Sequence, residues 1–181
     1  MSELAHWELQ QVRRVMQHCV ANYKLKLEGT HGLPHWTRVL INGRRLCARV
    51  GVSHHVVDLY AILHDSQRIN EGKDPQHGAR AERTVAELAY GGCLNLATDD
   101  LAVLCLACRL HSTGVIDGPL LAQICWDADR LDLGRVGITP TANKLCTEAA
   151  REPEQYDWAV CRGRLKVAEE LPWLVNSKIC A

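Results

Sequence analysis

The chain has 181 residues, 21 Lys and Arg balanced by 21 Asp and Glu, nine Cys and no Phe. That length suits one domain with a substantial core and is short for two. Balanced charge without a dense block of Lys and Arg argues against long nucleic acid as a partner. Met1 to Gln17 carries charges throughout and no apolar run reaches membrane-spanning length, so a cytoplasmic protein with free thiols and no membrane partner is expected.

Residues 3–27 place Leu4, Trp7, Leu9, Val12, Val15, Met16, Cys19 and Val20 near helical spacing, which predicts a long amphipathic helix. His6 and His18 on it read as packing or surface residues. Glu28-Gly29-Thr30-His31-Gly32 breaks the pattern, and Pro34 suits the first turn of a second helix because its missing donor would be unpaired there anyway. His35 falls in that opening turn. Arg38 follows one turn later on roughly the same face, where it points at a ligand held by His35 or pairs with Asp129 or Asp132. His31, in the loop, contacts substrate or caps the loop.

Gly51-Val52-Ser53 separates the second helix from a third, with Ser53 as the expected N-cap and His54 and His55 expected to face solvent in its first turn. From Val56 to Leu63 only Asp58 is polar, so this helix should be central. The run Leu59-Tyr60-Ala61-Ile62-Leu63 ends in His64-Asp65. A helix that carries such a pair into the interior must give it a partner, because unpaired buried polar groups are costly, and a divalent metal ion is the obvious candidate.

Ser66 to Gln76 is polar with Gly72 and Pro75 and reads as a loop leaving the pair directly, with Arg68 and Lys73 as its phosphate-binding candidates. A fourth helix runs from His77 past Arg80 to about Tyr90, stopped by Gly91-Gly92. Thr98-Asp99-Asp100 should cap a fifth, and Leu101 to Leu110, apolar except at Arg109, reads as a second central helix ending at His111. Cys105 and Cys108 on it read as core packing, with no second such pair to complete a four-sulfur site.

Pro119 to Leu133 gives a shorter helix that carries Asp127, Asp129 and Asp132. Pro140 to Ala150 is amphipathic, Glu152-Pro153 breaks it, and Tyr156 to Val175 reads as the last helix. No alternating strand pattern, internal repeat, nucleophile elbow, Gly-rich phosphate loop or dinucleotide fingerprint is present.

His35, then His64-Asp65, then Ala128-Asp129-Arg130-Leu131, each on a separate helical segment, resembles the HD-domain superfamily of metal-dependent phosphohydrolases over about residues 25–140. The resemblance implies an all-α, single-domain helical bundle over 1–181 with helical extensions around that core. It also implies His35, His64, Asp65 and Asp129 as metal ligands, selecting His35 over His31 and Asp129 over its rival Asp127.

Some members of the superfamily hold a second metal with two further His residues in this interval, the Asp of the pair bridging both ions. His77 and His111 lie in that interval; their other reading is substrate binding by His77 and helix capping by His111. The ligand types suit Fe, Mn, Zn, Co or Ni, one ion or two.

The expected reaction is hydrolysis of a small phosphate ester or nucleotide by a metal-activated water, with Asp65 and Arg38 as catalytic residues and His31, Arg68, Lys73, His77 and Arg80 around the substrate. A di-iron oxygenase of the same superfamily and a non-catalytic nucleotide-sensing module are the alternatives. Oligomeric state is left open.

Overall fold

The computed structural model describes residues 4–167. Among the described residues eight α-helices follow one another: α1 His6–Asn22, α2 Leu33–Val50, α3 His55–Leu63, α4 His77–Tyr90, α5 Thr98–Leu110, α6 Leu120–Arg130, α7 Glu148–Arg151 and α8 Pro153–Arg164. Two 3-10 turns, Leu133–Val136 and Ala142–Lys144, lie between α6 and α7. No strand occurs among the described residues, and the architecture is all-α. No helix among them is long and apolar enough to cross a membrane.

The short helix α3 is the axis of the bundle. All nine of its residues are buried, and α1, α2, α4, α5 and α6 all pack against it. A helix apolar nearly all round has no face to give to water, so its neighbours must enclose it. Trp36, Leu40 and Leu46 of α2, Tyr60 and Ile62 of α3, Leu104 of α5 and Trp126 of α6 fill the space between with fully buried side chains. The Trp126 indole donates to the carbonyl of Ala107 at 3.1 Å, which ties α6 to α5.

α2 starts as its sequence indicates, with Pro34 in the first turn, and ends on Gly51 at φ 79°, where a residue without Cβ takes the left-handed conformation at little cost. α4 runs from His77 to Tyr90 as expected. It crosses α5 closely because Gly78 faces the backbone there: a Cβ at Gly78 would sit 2.7 Å from the Arg109 carbonyl oxygen and 2.8 Å from that of Cys108.

Several expectations are corrected. His54 and His55 are buried, not solvent-facing, because Asp58, one turn on, is fully buried and needs partners. Arg44 grips both Asp58 oxygens at 2.9 and 2.6 Å and His54 Nδ1 lies 3.1 Å from one of them. His55 lies edge-on to Trp7, with Nδ1 3.4 Å from Glu8. The N-cap of α3 is His54 rather than Ser53.

α5 is not a second central helix. Only Leu104, Ala107 and Cys108 are buried along it, so it covers the core from one side. Cys108 lies in the core and Cys105 packs partly buried against it. Its N-cap is Ala97, not Thr98.

Pro140 to Ala150 forms one 3-10 turn and the start of the single-turn α7 rather than a continuous element. Pro153 opens α8 instead of merely breaking a helix, and α8 ends at Arg164, short of the Val175 expected. Residues 168–175 lie outside the described residues.

Gly78→Ala is expected to destabilise the fold by about 1–3 kcal/mol, since the atoms its methyl group meets are backbone and cannot rotate away. Denaturant unfolding checks this, and a loss below about 0.5 kcal/mol would show that α4 and α5 separate more easily than their packing implies.

Candidate metal centre

Six side chains from five segments meet below the C-terminal end of α3. His64 is the residue on which α3 ends, its N–H still bonded to the Tyr60 carbonyl at 3.0 Å, and Asp65 follows at once. His35 comes from the first turn of α2, His77 from the first residue of α4, His111 from the C-cap of α5 and Asp129 from the last turn of α6. Helix ends are where single side chains can be aimed inward without disturbing a ladder of backbone bonds.

All six are poorly accessible. The side chains of His35 and His64 are fully buried, and Asp129 is the most open of the six at 14 %.

The ligand atoms fall into two trios, His35 with His64 and Asp129, and Asp65 with His77 and His111; within each, the potential donor atoms lie within 4.8 Å of one another. Asp65 joins them by dividing its carboxylate. Its Oδ2 is 3.6 Å from His35 Nε2 and 3.7 Å from His64 Nε2, while its Oδ1 is 3.2 Å from His77 Nε2 and 3.5 Å from His111 Nε2.

Each imidazole is oriented through its other nitrogen. His35 Nδ1 lies 2.7 Å from Asp132 Oδ2, His64 Nδ1 3.1 Å from the Ala61 carbonyl and His111 Nδ1 2.7 Å from the Cys108 carbonyl, while His77 Nδ1 bonds the Asp74 carbonyl. An Nδ1 facing an oxygen acceptor carries the hydrogen, so all four Nε2 atoms turn lone pairs toward the cluster. His35 Nε2 and His64 Nε2 are 3.0 Å apart, and His77 Nε2 and His111 Nε2 are 2.7 Å apart. Two lone pairs at such distances repel unless a cation lies against both.

Electrostatics separates the trios. Burial, then the Arg135 charge, holds His35 well below the ordinary imidazole range, and burial above all pushes His64 down to about 4. Neither ring offers a proton near neutrality. Burial, the largest single influence, would also lower His111, but the contact with Asp65, the Asp65 and Asp129 charges and the Cys108 carbonyl together overcome it and raise it. Burial would raise Asp65 and Asp129, yet the surrounding imidazoles overcome it and both stay ionised, Asp65 well below the usual carboxylate range. Imidazole nitrogens facing anionic carboxylates are a divalent-ion donor set, and the residues fit such an ion.

The remaining sequence candidates lie around this cluster at different distances. Arg38 gives Nε to Asp132 Oδ1 at 2.7 Å and Nη2 to Oδ2 at 3.2 Å, so of its two readings the structure takes the pairing, and it stands behind His35. Asp127 is outside the cluster, accepting from the Cys146 and Thr147 amides at 2.7 and 2.8 Å and from the Thr147 hydroxyl at 2.7 Å.

Arg68 reaches Asp65 Oδ1 at 3.5 Å and His77 Nε2 at 3.3 Å. Arg80 braces the loop, giving Nε to the Gln67 carbonyl at 3.0 Å and Nη2 to Asp74 at 2.5 Å. His31 pairs with Glu71 at 2.5 Å, and Lys73 is exposed on the loop.

Two neighbours, Tyr60 and Asp74, were not singled out from the sequence, and a third, Arg135, reads there only as within reach of Asp132. Tyr60, one turn before His64, stacks on its ring at 4.9 Å and 23°. Asp74, three residues before His77, holds Arg80 and the Ile69 amide as well as supplying the carbonyl for His77. Arg135, three residues after Asp132, brings its Nη1 to 3.9 Å from Asp129 and 3.7 Å from Asp132 Oδ2. The signal available for Tyr60 and Asp74 was a spacing of about one turn from a candidate ligand, and for Arg135 the same spacing from Asp132.

No family model and no curated protein matches the chain. Among solved structures it is similar to a predicted HD superfamily hydrolase from an uncultured Thermotogales bacterium, at 22% sequence identity and a TM-score of 0.57, over 87% of this chain and 90% of that one. The likeness is one of fold, spanning nearly the whole of both chains. The helical arrangement that gathers His35, His64, Asp65 and Asp129 at the end of α3 is the HD-domain fold, and this chain is a protein of that fold.

Proposed function

We propose that the protein is a metal-dependent phosphohydrolase acting on a small phosphate ester or nucleotide, with His35, His64, Asp65 and Asp129 holding one divalent ion and Asp65, His77 and His111 a second. The observation that carries this reading is the pairing of Nε2 lone pairs across the cluster, 3.0 Å apart in one trio and 2.7 Å in the other, with one oxygen of Asp65 turned to each. Bound ions there would acidify water and neutralise charge at phosphorus.

The chain's own groups then have definite tasks. Asp65 stays ionised and fixes the spacing of the two halves. Asp132 holds the His35 tautomer and is itself held by Arg38. Arg68, on the Asp65 and His77 side, offers a guanidinium to a phosphoryl oxygen.

Ser66 and Cys108 do not compete with water as nucleophiles. The Ser66 hydroxyl is spent on the Leu63 carbonyl at 2.8 Å, and burial pushes the Cys108 thiol well above its ordinary value.

The six-residue set also suits the second reading, a di-iron oxygenase of the same superfamily. Oxygen uptake with a polyol or phosphonate and an iron-derived visible absorption would favour it, whereas turnover in a panel of phosphate monoesters and diesters supports the hydrolase. A non-catalytic nucleotide-sensing module would bind nucleotide tightly without turnover.

Elemental analysis of protein expressed without added metal should find two ions per chain. His77→Ala or His111→Ala should lower that by about one ion, and Asp65→Ala, which removes the bridge, should remove both. Circular dichroism must show each variant folded, since His111 ends a helix. One ion in the wild type, unchanged in the folded His77 and His111 variants, would leave a single-ion hydrolase, and full metal content in Asp65→Ala would remove the proposal.

Asp132→Asn is expected to weaken metal binding about 10–100-fold while the protein stays helical. Competition with a chelator measures it, and unchanged affinity would mean that the His35 ring is held by packing alone.

A further inference from the structure

We infer that Arg135 is a substrate-binding residue, the counterpart of Arg68 at the opposite end of the cluster. The inference rests on the phosphoryl-transfer reading above and extends it to a residue that reading does not use.

The trio of His35, His64 and Asp129 has one guanidinium directly beside it among the described residues. Arg38 is turned away onto Asp132, but Arg135 Nη1 lies 3.9 Å from Asp129 Oδ1. Its side chain is 7 % exposed, and Asp129 is the most accessible of the six candidate ligands, so Arg135 lines the side from which a ligand can reach the ions.

The position is built rather than incidental. Among the described residues the bonds Arg135 makes engage Nε, given to the Thr30 carbonyl at 3.2 Å, and Nη1, given to the Asp132 carbonyl at 3.2 Å, which leaves the Nη2 corner of the fork. The 3-10 turn that carries it, Leu133–Val136, is pressed against α8. A Cβ at Gly134 would stand 2.9 Å from the Arg164 amide nitrogen and 3.0 Å from the Val160 carbonyl oxygen, and one at Gly163 would stand 3.0 Å from Asp132 Oδ1. Two glycines thus allow the close approach that fixes the turn.

A purely structural Arg here would be satisfied by Asp132 alone, and Asp132 already has Arg38 at 2.7 Å and His35 at 2.7 Å. Arg135 instead spans two carboxylates, its Nη1 3.7 Å from Asp132 Oδ2 and 3.9 Å from Asp129 Oδ1. With Arg68 at 3.5 Å from Asp65 on the far side, the cluster carries a guanidinium at each end. A group bearing several charged oxygens on one small centre, as a terminal phosphoryl group does, would meet Arg135 on reaching Asp129.

Titrating inorganic phosphate into the wild-type protein and into Arg135→Gln, with metal content read on the same samples, tests this. The wild type should bind phosphate, and Arg135→Gln should bind it about tenfold or more weakly with its metal retained. Arg68→Gln should move the same way. Arg109→Gln, whose side chain is 50 % exposed and paired with Glu82, should leave phosphate affinity unchanged and so separates local contact from net charge.

Should Arg135→Gln fail to fold, Arg135→Lys keeps the cation without the planar fork and is expected to bind phosphate several-fold more weakly than the wild type. Wild-type phosphate affinity in a folded, metal-replete Arg135 variant would overturn the inference, as would an equal loss in Arg109→Gln. Failure of the metal reading registers separately, in the wild-type metal content.

Discussion

One carboxylate holds this structure's chemistry together. Asp65 is buried, ionised and split between two sets of imidazoles, and every helix that contributes to the cluster does so by ending, or beginning, within reach of it. A buried anion with four imidazoles around it is stable only if positive charge is shared among them. The bundle therefore converges on a point that a divalent cation could complete.

The second constraint is orientation. The central helix is too short and too apolar to position anything except by its end, and it does so with His64 and Asp65 in succession. Nearby helices use the same device: α4 begins with His77 and α5 is capped by His111. α2 differs, since His35 lies inside its first turn and needs a side chain, Asp132, to hold its ring. Around that single carboxylate gather Arg38 and Arg135, which link the candidate ligands to the turn after α6.

Much of this was legible along the chain where the information was local. The run ending in His64-Asp65 announces a buried helix with a polar end, Gly91-Gly92 marks the stop of α4, and Pro34 marks the start of α2. What failed was nonlocal. His54 and His55 looked exposed because Asp58 read as an isolated polar break, whereas its partner Arg44 lies 14 residues earlier on another helix. α5 looked central because its composition is apolar all round, but composition cannot say how many neighbours a helix acquires. The pairing of His35 with Asp132 spans 97 residues, and only the fold brings it about. Arg38 could be assigned two ways from its spacing, and Arg135 could be seen as reaching Asp132 without any hint that it also faces Asp129.

The acceptors that set the four rings have unequal genetic exposure. Three of them, from Ala61, Asp74 and Cys108, are main-chain carbonyls, which no codon change can delete. The fourth is the Asp132 side chain. Heritable variation in the tilt of an imidazole is thus concentrated at one position, and a lineage adjusting this cluster would find its most direct route through residue 132 and the arginines that lean on it.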